Sequence, residues 1–279
     1  STQTQMFAKA YPERFFNMGI AEQDMIATAA GLASQGKIAF ASTFAMFATG
    51  RTYDQIRNSA VYGNFNVKIV ATHGGITVGE DGASHQALED VSLMRGLPHM
   101  SVIVPADCKE CDEVIKYAAG HDGPMYIRIA RTNVPDIFDE NYKFDFNKAV
   151  VLKKGSNVTI ITNGETLAEV LECADILEKQ GITATVIHMP VVKPLDSATI
   201  LDETKNSKLV VTVENHSIIG GVGSAICELL SEKMPKQVYR IGINDEFGQS
   251  GEQRLLMEFY GLTSEKIAEK IMGKLREIK

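Results

Sequence analysis

Short runs of β-branched and apolar residues alternate with longer amphipathic stretches along the whole chain, and this alternation constrains the fold more than any other feature. Strands separated by helix-length segments need crossover connections, so neighbouring strands run parallel and helices cover the faces of the sheet. In the first half the strand-like runs fall at 37–42, 67–71, 101–105 and 125–131. The clearest helix opens at Asp107, whose side chain can cap free N–H groups, and runs through C-K-E-C-D-E-V-I-K-Y-A-A to Gly120, a natural stop.

Periodicity fades over N-V-P-D-I-F-D-E-N-Y-K-F-D-F-N and then resumes. Strands are expected at 158–162, 183–188, 208–213 and 237–241, and helices at 167–180, 223–233, 252–259 and 264–276. The reading is two doubly wound α/β domains, 1–135 and 157–279, joined by a linker over 136–156. At 279 residues and 44% hydrophobic content the chain can fill two cores of ordinary size.

A net charge of -7, with 28 Lys and Arg in no dense run, argues against a nucleic-acid face, so an anionic ligand would be gripped by a few placed cations. No apolar stretch nears the roughly 20 residues of a membrane span and no leader pattern opens the chain, so a soluble, cytoplasmic protein with no membrane partner is expected. Cys108 and Cys111 form a C-x-x-C, but without a second pair or nearby histidines they read as ordinary helix residues. The chain starts at Ser1 and enters a polar helix-like segment, whereas an α/β domain opens with a strand; an upstream helix and strand are expected.

Several residues carry candidate chemistry. Glu22, in F-F-N-M-G-I-A-E-Q-D-M, precedes the small-residue segment A-T-A-A-G-L-A. Close packing there would leave its carboxyl poorly solvated and raise its pKa. The plainer alternative is an exposed first-turn glutamate favoured by the helix dipole. Phe44 and Phe47, in S-T-F-A-M-F, share a face if helical, which serves a core as readily as a ligand. His73, Asp81 and His85 lie on A-T-H-G-G-I-T-V-G-E-D-G-A-S-H-Q directly after a strand, where open α/β sheets place their ligand crevice. Arg131 closes the run 125–131, and a guanidinium can hold a phosphate bidentately. In the second half, I-I-G-G-V-G-S-A lacks the spacing of a phosphate loop, and its glycines are read as permitting tight strand-to-helix packing.

With R-x-L-P, P-A-D, A-R-T-N-V-P, V-E-N-H and F-G-Q-S-G, these stretches resemble transketolase, its pyrimidine-binding domain followed by its C-terminal domain, over essentially the whole chain. G-I-A-E-Q resembles the family's glutamate motif, T-F-x-x-F its aromatic pocket and H-x-x-x-x-x-G-E-D-G-x-x-H-Q its substrate loop. The resemblance implies thiamin diphosphate as cofactor. Glu22 would serve N1′ of the aminopyrimidine, favouring its imino tautomer; Phe44 and Phe47 would enclose the ring; His85 would lie near its 4′-nitrogen and relay protons. His73 and Arg131 would contact a sugar phosphate and Asp81 a donor hydroxyl, while Ser1 matches a further phosphate-site serine. Gly50 departs from the family, which often has a third aromatic there. Glu214, Asn215 and His216 match a structural motif found at subunit contacts.

In that family Mg²⁺ and the diphosphate are held by a separate domain with a G-D-G and a downstream asparagine, which this chain lacks, so no metal site is expected on it. The implied protein is the C-terminal subunit of a split transketolase of the pentose phosphate pathway. It would associate with itself through both domains and with an N-terminal subunit in a heterotetramer, and transfer a two-carbon ketol unit between sugar phosphates. The C-terminal half of 1-deoxy-D-xylulose-5-phosphate synthase, the β subunit of a 2-oxo-acid dehydrogenase and a non-catalytic regulatory module of the same fold are the alternatives. His73 points away from the first two, and the intact set Glu22, His73, Asp81, His85 and Arg131 away from the third.

Overall fold

The computed structural model describes residues 2–278. Its strands are β1 (Ala39–Phe44), β2 (Val67–Thr72), β3 (Ser101–Ile103), β4 (Met125–Arg128), β5 (Val150–Lys153), β6 (Val158–Thr162), β7 (Ala184–His188), β8 (Val191–Lys193), β9 (Leu209–Ser217) and β10 (Val238–Ile243). They form two five-stranded sheets, ordered β1-β2-β4-β3-β8 and β10-β9-β6-β7-β5. Every pairing between named strands is parallel except those of β8 with β3 and β5 with β7. The α/β class with two parallel-sheet units is as the alternation predicts, and each sheet ends in one antiparallel edge strand.

The two edge strands were not expected. β5 falls in the stretch read as linker, and β8 crosses from the second half of the chain onto the first sheet. β8 is a three-residue run between Pro190 and Pro194, too short to announce itself by periodicity. β3 stops at Ile103 rather than 105, where Pro105 has no N–H for the ladder and Val104 instead donates to Pro190 O at 2.8 Å. The helix Ser197–Thr204, capped by Asp196, also has no counterpart in the sequence reading.

The helix Cys108–Gly120 forms where Asp107 predicts it. Asp107 accepts from Glu110 N at 2.8 Å, and Glu110 reaches back to Ala106 N at 2.7 Å, a reciprocal cap that satisfies two otherwise free donors. The same carboxylates tie down the connection: Asp107 also accepts from Ile137 N and Phe138 N, while Glu110 takes hydrogen bonds from Tyr142 Oη and His188 Nε2. Residues 136–142 are therefore strapped to the first unit.

The two units do not keep separate cores. One apolar cluster runs from Ile26, Ala45, Ile69 and Val91 of the first unit into Ile161, Met189, Val222 and Ile226 of the second. Beside it lies a buried polar junction. Arg128, last residue of β4, donates Nε to Asp90 at 2.9 Å and Nη2 to the Asn215 carbonyl at 2.8 Å; Tyr126 also donates to Asp90. Asn215, near the end of β9, accepts from Ile76 N at 2.9 Å and donates to Glu165 at 2.5 Å. The consecutive glycines after His73 are explained here. A Cβ at Gly74 would lie 2.2 Å from Arg128 Nε, and one at Gly75, which also has φ +78, would lie 2.3 Å from the Asn215 amide.

Asp90 is fully buried and Arg128 is 6% exposed, so removing one partner strands the other charge. Arg128→Ala is expected to cost about 3–5 kcal/mol in denaturant unfolding followed by circular dichroism, while Asp90→Asn with Arg128→Met in one chain recovers a large part of that loss. A loss for Arg128→Ala within about 1 kcal/mol would show that the junction does not hold the units together.

Candidate functional site

The candidate residues converge beyond the carboxyl ends of β1, β2 and β4. Phe44 is the last residue of β1 and Phe47 sits in the short helix Ala45–Thr49 that follows. The expected helical i, i+3 pair is thus a strand-end and helix pair, and its rings still lie parallel, 6.0 Å apart at 10°. His73 follows β2 directly with a left-handed φ of +62 and stacks on Phe44 at 3.7 Å. That backbone conformation is costly for a side chain bearing a Cβ and marks a residue aimed by its surroundings. The His85 and Phe47 rings stand nearly perpendicular, centroids 5.2 Å apart at 78°, and His85 Nδ1 lies 3.0 Å from Ser84 Oγ.

Glu22 is the first residue of the helix Glu22–Ser34 and only 8% exposed, as its small neighbours predict. It is not a solitary carboxyl, however. Arg51 donates to it at 2.8 Å and lies over the Phe47 ring, with its guanidinium carbon 4.4 Å from the centroid. A desolvated, unpartnered acid is therefore replaced by an ion pair. The Arg51 side chain is 46% exposed, so this pair contributes at most about 1 kcal/mol, and the contact with Phe47 a similar amount.

Arg131 lies three residues beyond β4 rather than within it. It donates to Asp81 at 3.0 Å and to the Val78 carbonyl, bringing two of the expected substrate groups into one pair. His73 is close enough to feel both: burial first, then the Arg131 charge, lower its pKa from 6.5 to about 4 against an opposing pull from Asp81. Ser1, the remaining expected contact, lies outside the described residues. Contacts thus run from Glu22 through Arg51 to Phe47 and on to Phe44, His73 and His85, while Arg131 and Asp81 form a pair whose charges reach His73.

The second half of the chain adds two findings. Glu214 accepts from Val222 N and Gly223 N at 2.8 and 2.9 Å, so the N–H groups that a phosphate loop would offer are already used, and burial pushes this carboxyl up to about 7. The glycines of I-I-G-G-V-G-S-A admit that carboxylate: a Cβ at Gly221 would fall 1.9 Å from it. Asn215, expected at a contact between subunits, joins the two units of one chain and holds the base of the loop bearing Asp81 and His85. Arg128 is absent from the sequence reading, and Arg51 enters it only as the residue that follows Gly50, without a role of its own. Gly50 as a departure from the aromatic pattern points to the neighbourhood of Arg51, and nothing local points to Arg128. Among the described residues no cluster of His, Cys, Asp and Glu is arranged to hold a metal, and no helix is long and apolar enough to cross a membrane.

Two docked parallel-sheet units with aromatic, acidic and basic side chains gathered at strand ends define a protein of the doubly wound α/β class. A family profile described as "Transketolase, pyrimidine binding domain" matches residues 1–136, and one described as "Transketolase, C-terminal domain" matches residues 147–267. A transketolase C-terminal section from Methanocaldococcus jannaschii is 49% identical over 280 residues, covering 99% of this chain and 88% of the relative. A 6-deoxy-6-sulfo-D-fructose transketolase subunit from a Clostridium species is 41% identical, covering 94% and 81%. A solved structure described as a split gene transketolase in an inactive beta4 tetramer superposes with a TM-score of 0.92 at 47% identity, covering 99% of this chain and 90% of that one. The chain belongs to the transketolase family, and its two units are that family's pyrimidine-binding and C-terminal domains.

The His73 environment sets a pH signature. Unfolded, the imidazole takes up its proton near 6.5; folded, near 4. Between these values the folded state binds fewer protons, so this residue's contribution to stability is complete above 6.5 and is lost as pH falls toward 4. In a proton NMR titration the His73 ring resonance is expected to turn over near pH 4, and a midpoint at 6 or above would contradict the packing against Phe44 and Arg131.

Proposed function

We propose that this chain is the aminopyrimidine-side subunit of a two-subunit, thiamin diphosphate-dependent transketolase that moves a two-carbon ketol unit between sugar phosphates. The observation that carries the reading is the pairing of Glu22 with the face of Phe47. Together they already hold a planar, nitrogen-rich group, the Arg51 guanidinium, so a carboxylate and an aromatic surface suited to an aminopyrimidine stand side by side. When bound, the cofactor supplies a nucleophilic carbon that accepts a ketol unit and passes it on.

Each side chain has a task in that reading. Glu22 offers a hydrogen-bonding carboxyl to N1′ of the ring. Phe44 and Phe47 give it an apolar enclosure that excludes water. His85, packed perpendicular to Phe47, moves protons at the reacting end. His73, uncharged at neutral pH, donates a neutral hydrogen bond, while Arg131 supplies the positive charge for a substrate phosphate and Asp81 orients a hydroxyl. Ser1 would add a further phosphate contact. Magnesium and the diphosphate belong to a partner N-terminal subunit, because the G-D-G and downstream asparagine that hold them elsewhere in the family are absent from this sequence. The description of the solved relative as an inactive beta4 tetramer supports a chain that self-associates but needs its partner to work; the working enzyme is a cytoplasmic heterotetramer.

Isothermal titration calorimetry on the chain alone is expected to show no micromolar, Mg²⁺-dependent uptake of thiamin diphosphate; such uptake would overturn the two-subunit reading. In the reconstituted pair, Arg131→Ala should raise KM for a phosphorylated ketose far more than it lowers kcat. The expected loss in kcat/KM is about 1.5–3 kcal/mol. An unphosphorylated donor should be nearly unaffected, and equal losses for both donors would remove Arg131 from the phosphate site.

A further inference from the structure

We infer that Arg51 is a built-in competitor for the aminopyrimidine seat, its guanidinium and the ring being alternative occupants of the same carboxylate and the same aromatic face. The inference rests on the reading of Glu22 and Phe47 as the ring's partners. A guanidinium is planar and presents parallel N–H donors along one edge while its face can stack. An aminopyrimidine bearing a proton on its ring nitrogen offers the same combination, a flat face and N–H donors in its plane. Arg51 uses both features at once, donating to Glu22 Oε2 at 2.8 Å with its guanidinium carbon 4.4 Å from the Phe47 ring centroid.

The segment is built so that only the side chain need move. The backbone around Arg51 is fixed: Thr52 is fully buried and donates to the Ala48 carbonyl at 2.5 Å, and the Arg51 carbonyl accepts from Gln23 of the Glu22 helix at 3.2 Å. The side chain is 46% exposed, so rotation about its own bonds carries the guanidinium into solvent without disturbing the fold. Gly50 places no side chain beside Arg51; a Cβ there would lie 3.3 Å from the Met46 carbonyl, a tight but adjustable contact. The departure from an aromatic at Gly50 and the arginine beside it thus belong to one arrangement, in which the outer wall of the pocket is a swinging cation.

A protein whose binding-competent arrangement is only partly populated loses apparent affinity by that fraction. Arg51→Ala, which removes the competitor, and Arg51→Gln, which keeps most of its length without the charge, are therefore expected to bind the ring more tightly. The probe is 4-amino-2-methylpyrimidine, which needs neither the diphosphate nor Mg²⁺, titrated into the full chain and followed by NMR at the Phe47 and His85 rings and at the Arg51 Nε–H. Both variants should bind it about five- to thirty-fold more tightly than the wild type. With Glu22→Gln introduced alongside, the affinity gained by Arg51→Ala should disappear. In the wild type the Arg51 Nε–H signal should move toward its free value as the probe binds.

Equal affinities in wild type and both variants, with Phe47 and His85 still perturbed, would overturn the competition and leave the ring site standing. A probe that perturbs Phe47 and His85 in none of the proteins would overturn both.

Discussion

The contact on which the rest of the molecule depends is the buried pair of Arg128 and Asp90 with Asn215 wedged against it. It is expensive chemistry, since two charges have been withdrawn from water and only good geometry offsets that desolvation. Its value is positional. Arg128 stands at the end of β4, Asp90 opens the helix Asp90–Arg95 and Asn215 comes from β9, so one cluster fixes the end of the first sheet, the start of a helix and the second unit together. The loop from His73 to His85 leaves from that cluster, and its two glycines are the shape that Arg128 and Asn215 leave for it. The placement of His85 and Asp81 is in this sense decided by residues that touch neither.

The site itself is a set of groups that satisfy one another. Glu22 has Arg51, Asp81 has Arg131, and His73 has the face of Phe44. Charges that would otherwise stand poorly hydrated in a crevice are compensated within the chain, which lets the unit fold with these groups in place before any ligand arrives. The compensation is weak where exposure is high, so the partners remain available to a ligand.

Much of the fold was legible in the sequence, for identifiable reasons. β6, a fully buried V-T-I-I-T, was read to the residue because a continuous β-branched run between turn signals has few other uses. The helix behind Asp107 was legible because capping is local chemistry. β5 and β8 were not, since each is short and becomes a strand only when a neighbouring sheet offers an edge. At the site, individual residues could be named from motif and spacing, but their pairing could not. Glu22 and Arg51 are 29 residues apart, and Arg128 meets Asn215 across 87. Such partners are set by tertiary packing, which is why a carboxyl read only as poorly solvated is half of an ion pair.

The passage of β8 onto the first sheet has a consequence for how the chain can be divided. Val191–Lys193 covers the otherwise open side of β3, and Lys193 reaches beyond it to the carbonyls of Arg95 and Leu97. A fragment cut in the 136–156 stretch would keep the first unit's helices and most of its sheet but leave β3, fully buried in the intact chain, with unpaired N–H and C=O groups along one side. Open edges of that kind recruit other strands and aggregate. The two units are separate in topology and inseparable as material: the boundary drawn along the sequence is crossed in space by three residues that act as a clasp.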